Sequence, residues 1–184
     1  PREVWVGDDA QGAIQWSRCT QRHPQAAEIT IGHTEVHHWK GSDGWEMQGL
    51  VLKPVGYEPG RTYPLVMWVH GGPTGVSGSR YQAASLWNQL LANQEYAVFL
   101  PNYRGSVGWG LEFSESNLGD MGGKDFEDMM LGIDSLIESG LANADRLAIA
   151  GWSYGGFTAA WAVSQTDRFQ AAVMGAGISL CLCL

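Results

Sequence analysis

Very little in this chain is suited to holding a metal, a cofactor or a nucleic acid. Its 184 residues include only three cysteines, Cys19, Cys181 and Cys183. Cys181 and Cys183 have no histidine or second cysteine pair nearby to complete four ligands, so neither a zinc site nor a disulfide framework is indicated. Such sparing use of cysteine fits a reducing, cytoplasmic setting. Lysine and arginine number 11 against 19 aspartates and glutamates, and a net charge of −8 without a basic cluster argues against a nucleic-acid partner. No apolar run approaches the roughly 18 residues of a membrane span, and the N-terminus shows no charged-then-apolar leader, so no membrane partner is expected. Neither G-x-G-x-x-G nor G-x-x-x-x-G-K-[ST] occurs, which leaves no nucleotide cofactor to expect.

What is present is a chain of one-domain length with 45% apolar residues, enough for a sizeable core. Its most informative stretch is Ala148-Ile149-Ala150-Gly151-Trp152-Ser153-Tyr154-Gly155-Gly156, an apolar run ending in Gly-x-Ser-x-Gly. A helical stretch follows from Phe157 to Gln165. This is the pattern of a nucleophile elbow, in which a buried strand turns sharply into a helix and lifts one serine out at the turn. Small residues must flank that serine, and Gly151 and Gly155 do. Ser153 is thereby the candidate nucleophile, its hydroxyl near the positive N-terminus of the next helix. A serine in that place also serves simply as a helix cap.

Along the chain, Val4-Trp5-Val6 is strand-like, whereas Gln11 to Ala27 is polar and without a sustained period. Glu35–Lys40 and Glu46–Lys53 flank Gly41-Ser42-Asp43-Gly44 and predict a hairpin. From Leu65 the texture alternates. Leu65–Val69 is a continuous apolar run, as in a strand buried on both faces. Ala83, Leu86, Trp87, Leu90 and Leu91 recur at helical spacing, and Ala97–Leu100 is the next strand. Phe126, Met129, Met130, Ile133, Leu136 and Ile137 form a clean helical stripe, which reads as core. Leu147–Ala150 and Ala171–Gly175 complete the series. The alternation predicts an α/β fold, a mostly parallel sheet with helices on both faces.

Two stretches follow strands at the edge where such a sheet keeps its site. His70-Gly71-Gly72-Pro73 succeeds Leu65–Val69, and its glycines let the backbone approach a reacting oxygen closely. The N–H groups of Gly72 and Tyr154 would then form an oxyanion hole. Gly-Gly-Pro is equally the sequence of a plain turn. Asn102-Tyr103-Arg104-Gly105-Ser106 succeeds Ala97–Leu100, and its arginine is as well explained by bonds to neighbouring carbonyls.

Trp39-Lys40 with Asp43-Gly44, Tyr63-Pro64, His70-Gly71-Gly72-Pro73, Asn102-Tyr103-Arg104-Gly105-Ser106-x-Gly108-x-Gly110, Asp145-Arg146 and Gly151-Trp152-Ser153-Tyr154-Gly155-Gly156 together resemble the prolyl oligopeptidase family, in its branch of acylaminoacyl peptidases and dipeptidyl aminopeptidases. The match runs in register from about Glu35 to Ser179. The resemblance implies an α/β-hydrolase catalytic domain preceded by a β-propeller, and a serine hydrolase acting on short peptides or small esters. Carried over, Ser153 is similar to the nucleophile, and Gly72 and Tyr154 to the oxyanion-hole backbone. Residues 1–33 resemble the end of the propeller and its linker, and residues 34–184 a partial catalytic domain.

In this fold the triad follows the order Ser, Asp, His. None of the five histidines, His23, His33, His37, His38 and His70, follows Ser153. The residues after Gly175 are also too few for another crossover, which needs about a dozen. The expectation is therefore a catalytic domain incomplete at its C-terminus and impaired as a hydrolase. His70 is the one candidate for a substitute base, because its strand should neighbour the strand before the elbow. The alternative expectation is a non-catalytic or partner-dependent fragment that self-associates through the exposed sheet edge at Ala171–Gly175.

Overall fold

The computed structural model describes residues 3–10, 12–78 and 85–178; Ala83 of the predicted helical stripe and the Leu180–Leu184 tail with Cys181 and Cys183 lie outside them. The chain divides into two compact units, Pro1–Ile31 and Gly32–Leu184.

The smaller unit is built on an antiparallel hairpin of β1 (Trp5–Ala10) and β2 (Ala13–Arg18), with Trp5 opposite Arg18 and Ala10 opposite Ala13. The strand expected at Val4–Val6 is thus longer, and part of the stretch read as aperiodic is a second strand. Its sequence gave little sign because every residue of β2 is exposed. Without a buried face, nothing forces the apolar and polar positions of a strand to alternate over any length.

The larger unit is organised by six strands: β3 (Thr34–Lys40), β4 (Glu46–Leu52), β5 (Tyr63–Val69), β6 (Ala97–Asn102), β7 (Ala142–Trp152) and β8 (Phe169–Gly175). They lie in the order β3-β4-β6-β5-β7-β8. The β3–β4 hairpin joins β6 antiparallel, while β6, β5, β7 and β8 run parallel. Interleaved with them are the helices α1 (Ser85–Asn93), α2 (Leu111–Glu115), α3 (Lys124–Glu138) and α4 (Tyr154–Gln165).

Alternation along the strands sorts the core into two layers, as the two-residue period of a strand requires. Leu65, Met67 and Val69 of β5 and Phe99 of β6 face Met129, Ile133 and Leu136 of α3 and Ala159 and Ala162 of α4. On the opposite face Trp68, Val98 and Leu100 meet Leu91 and Ala92 of α1. Helices therefore cover both faces, as an α/β-hydrolase fold demands. On the α1 side, Trp87 and Leu90 of that helix, Trp152 of β7 and Val173 of β8 border an apolar groove of about 960 Å³. No helix among the described residues is long and apolar enough to cross a membrane.

Candidate active site

The C-terminal ends of β5 and β7 lie side by side, with Val69 opposite Gly151, so the turns that follow them must meet. After β7 the backbone reverses into α4 through Ser153, which has φ 58° and ψ −118°. A non-glycine residue in that region is strained by about 1–3 kcal/mol and persists only where its surroundings enforce it. The enforcement is visible. A methyl group on Gly155 would lie 2.0 Å from the carbonyl oxygen of Val69, and one on Gly151 would lie 2.3 Å from that of Gly155. The helix backbone rests directly on the sheet, and only hydrogen side chains permit it. Ser153 N–H donates to Gly175 O at 2.9 Å, which ties the turn to β8 as well.

Ser153 occupies the N-cap position of α4, yet its hydroxyl makes no capping bond. The helix-cap reading of the motif is thereby removed, and the side chain is exposed. The turn after β5 comes against it. A methyl group on Gly71 would stand 2.9 Å from Trp152 O, 3.1 Å from Ser153 Cβ and 3.7 Å from Ser153 Oγ. Gly72 has φ +137°, a conformation side chains rarely adopt, and a methyl there would meet Thr74 N at 2.4 Å. The His70–Pro73 turn and Ser153 are thus brought together, with Gly71 packed against the serine side chain.

That turn is pinned from the β6 side. Tyr103 donates its hydroxyl to His70 O at 2.8 Å and stacks on the His70 ring at 4.5 Å between centroids. The Ser77 N–H donates to Asn102 Oδ1 at 2.7 Å, and the Val107 N–H to Gly75 O at 3.0 Å. His70 Nε2 lies 3.0 Å from Ser106 Oγ, and Nδ1 lies 3.0 Å from Gly71 O and 3.3 Å from the Tyr103 hydroxyl. Both ring nitrogens therefore have partners other than Ser153. Burial holds the pKa of His70 below its ordinary value, which keeps the ring neutral. As a substitute base, His70 would first have to exchange these bonds.

Tyr154 opens α4, and the first N–H groups of a helix have no acceptor within it. Its side chain points inward and donates a hydrogen bond to Asp125. Sequence reasoning passed over Asp125. The only signal was an acidic residue in the first turn of the α3 pattern, which the helix dipole explains by itself.

Arg104 bonds carboxylates rather than the carbonyls expected of it. Nε donates to Asp128 Oδ2 at 2.6 Å and Nη2 to Asp128 Oδ1 at 3.1 Å, while Nη1 and Nη2 reach Asp43 at 3.0 Å each. It clamps the β3–β4 turn to α3. The hydrogen bonds from this guanidinium hold the Asp43 carboxyl down to about 2. His37, on β3 at the far edge of the sheet, lies 3.0 Å from Ser135 Oγ. Among the described residues no three His, Cys, Asp or Glu side chains form a group able to hold a metal.

A strained serine between strand and helix, opposed by a glycine turn at the carboxyl edge of a mostly parallel sheet, defines an α/β-hydrolase. The chain belongs to the prolyl oligopeptidase family, whose model matches residues 82–183, more than half of it. It is 40% identical over 153 residues to the uncharacterized peptidase YuxL of Bacillus subtilis, covering 83% of this chain and 23% of that one. It is 33% identical over 146 residues to dipeptidyl-peptidase 5 of Porphyromonas gingivalis, covering 78% and 21%. The acylaminoacyl peptidase of Pyrococcus horikoshii superposes with a TM-score of 0.83 at 28% identity, over 97% of this chain and 28% of that structure. The chain thus spans less than a third of the length of these relatives.

Proposed function

We propose that Ser153 accepts an acyl group from a short peptide or a small ester, and that the N–H groups of Gly72 and Tyr154 hold the developing oxyanion. The observation that carries this reading is the elbow: an exposed serine hydroxyl, unused as a cap, held in a strained conformation against the glycine turn. Ser153 Oγ attacks the carbonyl carbon, a C–O bond forms, and the carbonyl electron pair moves onto oxygen, where two backbone donors stabilise it. Collapse breaks the bond to the leaving group. The serine proton must go to a base, and an amine leaving group must receive one; a single positioned histidine normally does both.

All five histidines of this chain precede Ser153. Oxyanion hole and binding alone retain about 10³–10⁴-fold catalysis over water when a triad member is missing. The 184-residue chain is therefore expected to acylate with activated esters, which leave without a proton, and to turn over amides poorly. The test is release of p-nitrophenolate from a short-chain p-nitrophenyl ester by the chain and by Ser153→Ala. Undiminished release in the mutant would sink the assignment.

A second reading is favoured by β8. It pairs with β7 alone among the described residues, and Val173 and Met174 on it are 63% and 47% exposed. An unpaired apolar edge is a template for another strand. A second copy of the chain, paired edge to edge, is the occupant that needs no further component.

A further inference from the structure

Asp125 takes no part in the reaction set out above, yet it is bonded to the residue that supplies half of the oxyanion hole. It is the second residue of α3 and its side chain is wholly buried. Oδ1 accepts hydrogen bonds from Gly122 N–H at 2.9 Å and Phe126 N–H at 2.8 Å. Oδ2 accepts from the Tyr154 hydroxyl. Burial pushes this carboxyl up, and these three donors pull against it.

Tyr154 is correspondingly fixed. Its ring stacks on Tyr103 at 5.7 Å between centroids and packs against Phe157 at 5.4 Å. Asn117 adjoins the phenol but leaves its own Nδ2 without a partner among the described residues, and the hydroxyl donates its hydrogen bond to Asp125. One Cα carries both the anchored ring and the backbone N–H aimed at the acyl oxygen. Holding the far end of the ring removes the freedom of that Cα to tilt.

Packing alone does not call for this arrangement. Phenylalanine would fill the same stack, and an ionised carboxylate is costly to bury unless it is paired. We propose that Asp125 is a positioning residue for acyl transfer: by bonding the Tyr154 phenol it holds the Tyr154 N–H on the oxyanion. This rests on the assignment of Ser153 and Tyr154 above. A donor displaced by about 1 Å costs on the order of 10²-fold, and a donor lost outright about 10²–10³-fold. A loosened Tyr154 keeps its N–H, so about a 10- to 100-fold loss is expected.

The experiment uses the 184-residue chain with p-nitrophenyl acetate carrying ¹³C at its carbonyl. Acylation is followed by p-nitrophenolate release, and the bound acyl group by its infrared carbonyl band. Tyr154→Phe, Asp125→Ala and Asp125→Asn are compared, each checked by circular dichroism. Tyr154→Phe and Asp125→Ala are expected to slow acylation about 10- to 100-fold with the half-saturating ester concentration little changed. The acyl carbonyl band should move to higher frequency, because a weaker hydrogen bond polarises it less. Asp125→Asn, whose amide can still bond the phenol, should recover most of what Asp125→Ala loses. Should Asp125→Ala fail to fold, Tyr154→Phe decides alone. Acylation that requires Ser153 but keeps its rate and its carbonyl band in Tyr154→Phe overturns this inference. Acylation that survives Ser153→Ala overturns the serine-hydrolase reading instead, and the inference with it.

Discussion

Replacing Arg104 should damage the fold far more than replacing its outer partner. The Arg104 side chain is 3% exposed and that of Asp128 0%, whereas that of Asp43 is 31% exposed. Arg104→Met strips Asp128 of both guanidinium bonds and leaves a buried carboxylate with, among the described residues, the Ser42 N–H at 3.1 Å to answer it. Removing one partner of a buried pair costs about 3–5 kcal/mol. At about 2–4 °C per kcal/mol for a chain of this size, the melting temperature should fall by about 6–20 °C. Asp43→Ala leaves the Arg104–Asp128 bonds in place and removes a partly solvated pair, so its cost is about 1 kcal/mol or less. The double change Arg104→Met, Asp128→Leu should recover much of the loss, since an apolar pair can replace a buried ionic one. Thermal denaturation followed by circular dichroism at neutral pH ranks all three. Arg104→Met no more destabilising than Asp43→Ala would refute the asymmetry. The same pair sets a pH dependence. The Asp43 carboxyl titrates near 2 in the fold against 3.8 when free. The folded state therefore binds fewer protons in that window, and its stability is fully present above about pH 4 and lost as pH falls through 2. Asp43→Asn should flatten the melting temperature across this range.

Gly155→Ala should abolish acylation of Ser153 and lower the melting temperature together, because its methyl would lie 2.0 Å from Val69 O; normal labelling of the variant by p-nitrophenyl acetate would refute the account of the elbow. At micromolar concentration, light scattering should show dimers or larger species, and Val173→Lys should shift the chain toward monomer. A monomeric wild-type profile would show that β8 is not a pairing surface. A peptide amide should be cleaved well below the roughly 1 s⁻¹ of an ordinary enzyme while the activated ester reacts. Amide turnover at that rate that disappears in His70→Ala would make His70 the base despite its present bonds.

The elements with a buried face were legible, and their extents were not. The stripe from Phe126 to Ile137 marked α3 because that face meets the sheet. Leu147–Ala150 marked β7, but the strand begins at Ala142, where Asp145 and Arg146 are exposed and carry no apolar signal. β2 was missed because its two large apolar residues, Ile14 and Trp16, are exposed and make too short a run to mark a strand. Gly-x-Ser-x-Gly marked the turn at Ser153 because the turn is tight enough to dictate its neighbours. The partners of Asp125 and Arg104 were illegible because they are distant in sequence, 29 residues away for Tyr154 and 61 for Asp43. No local spacing records such a meeting.

The bond from Ser153 N–H to Gly175 O makes the outermost described parallel strand a support of the serine's own backbone. Gly156 repeats the attachment, since a methyl there would lie 2.4 Å from the same carbonyl. A second chain laid along β8 would thus bear on the elbow without touching it. Any shear of that strand would be transmitted to Ser153 through one peptide unit, so a chain that paired at the margin of the sheet would act on the serine turn at its carboxyl end.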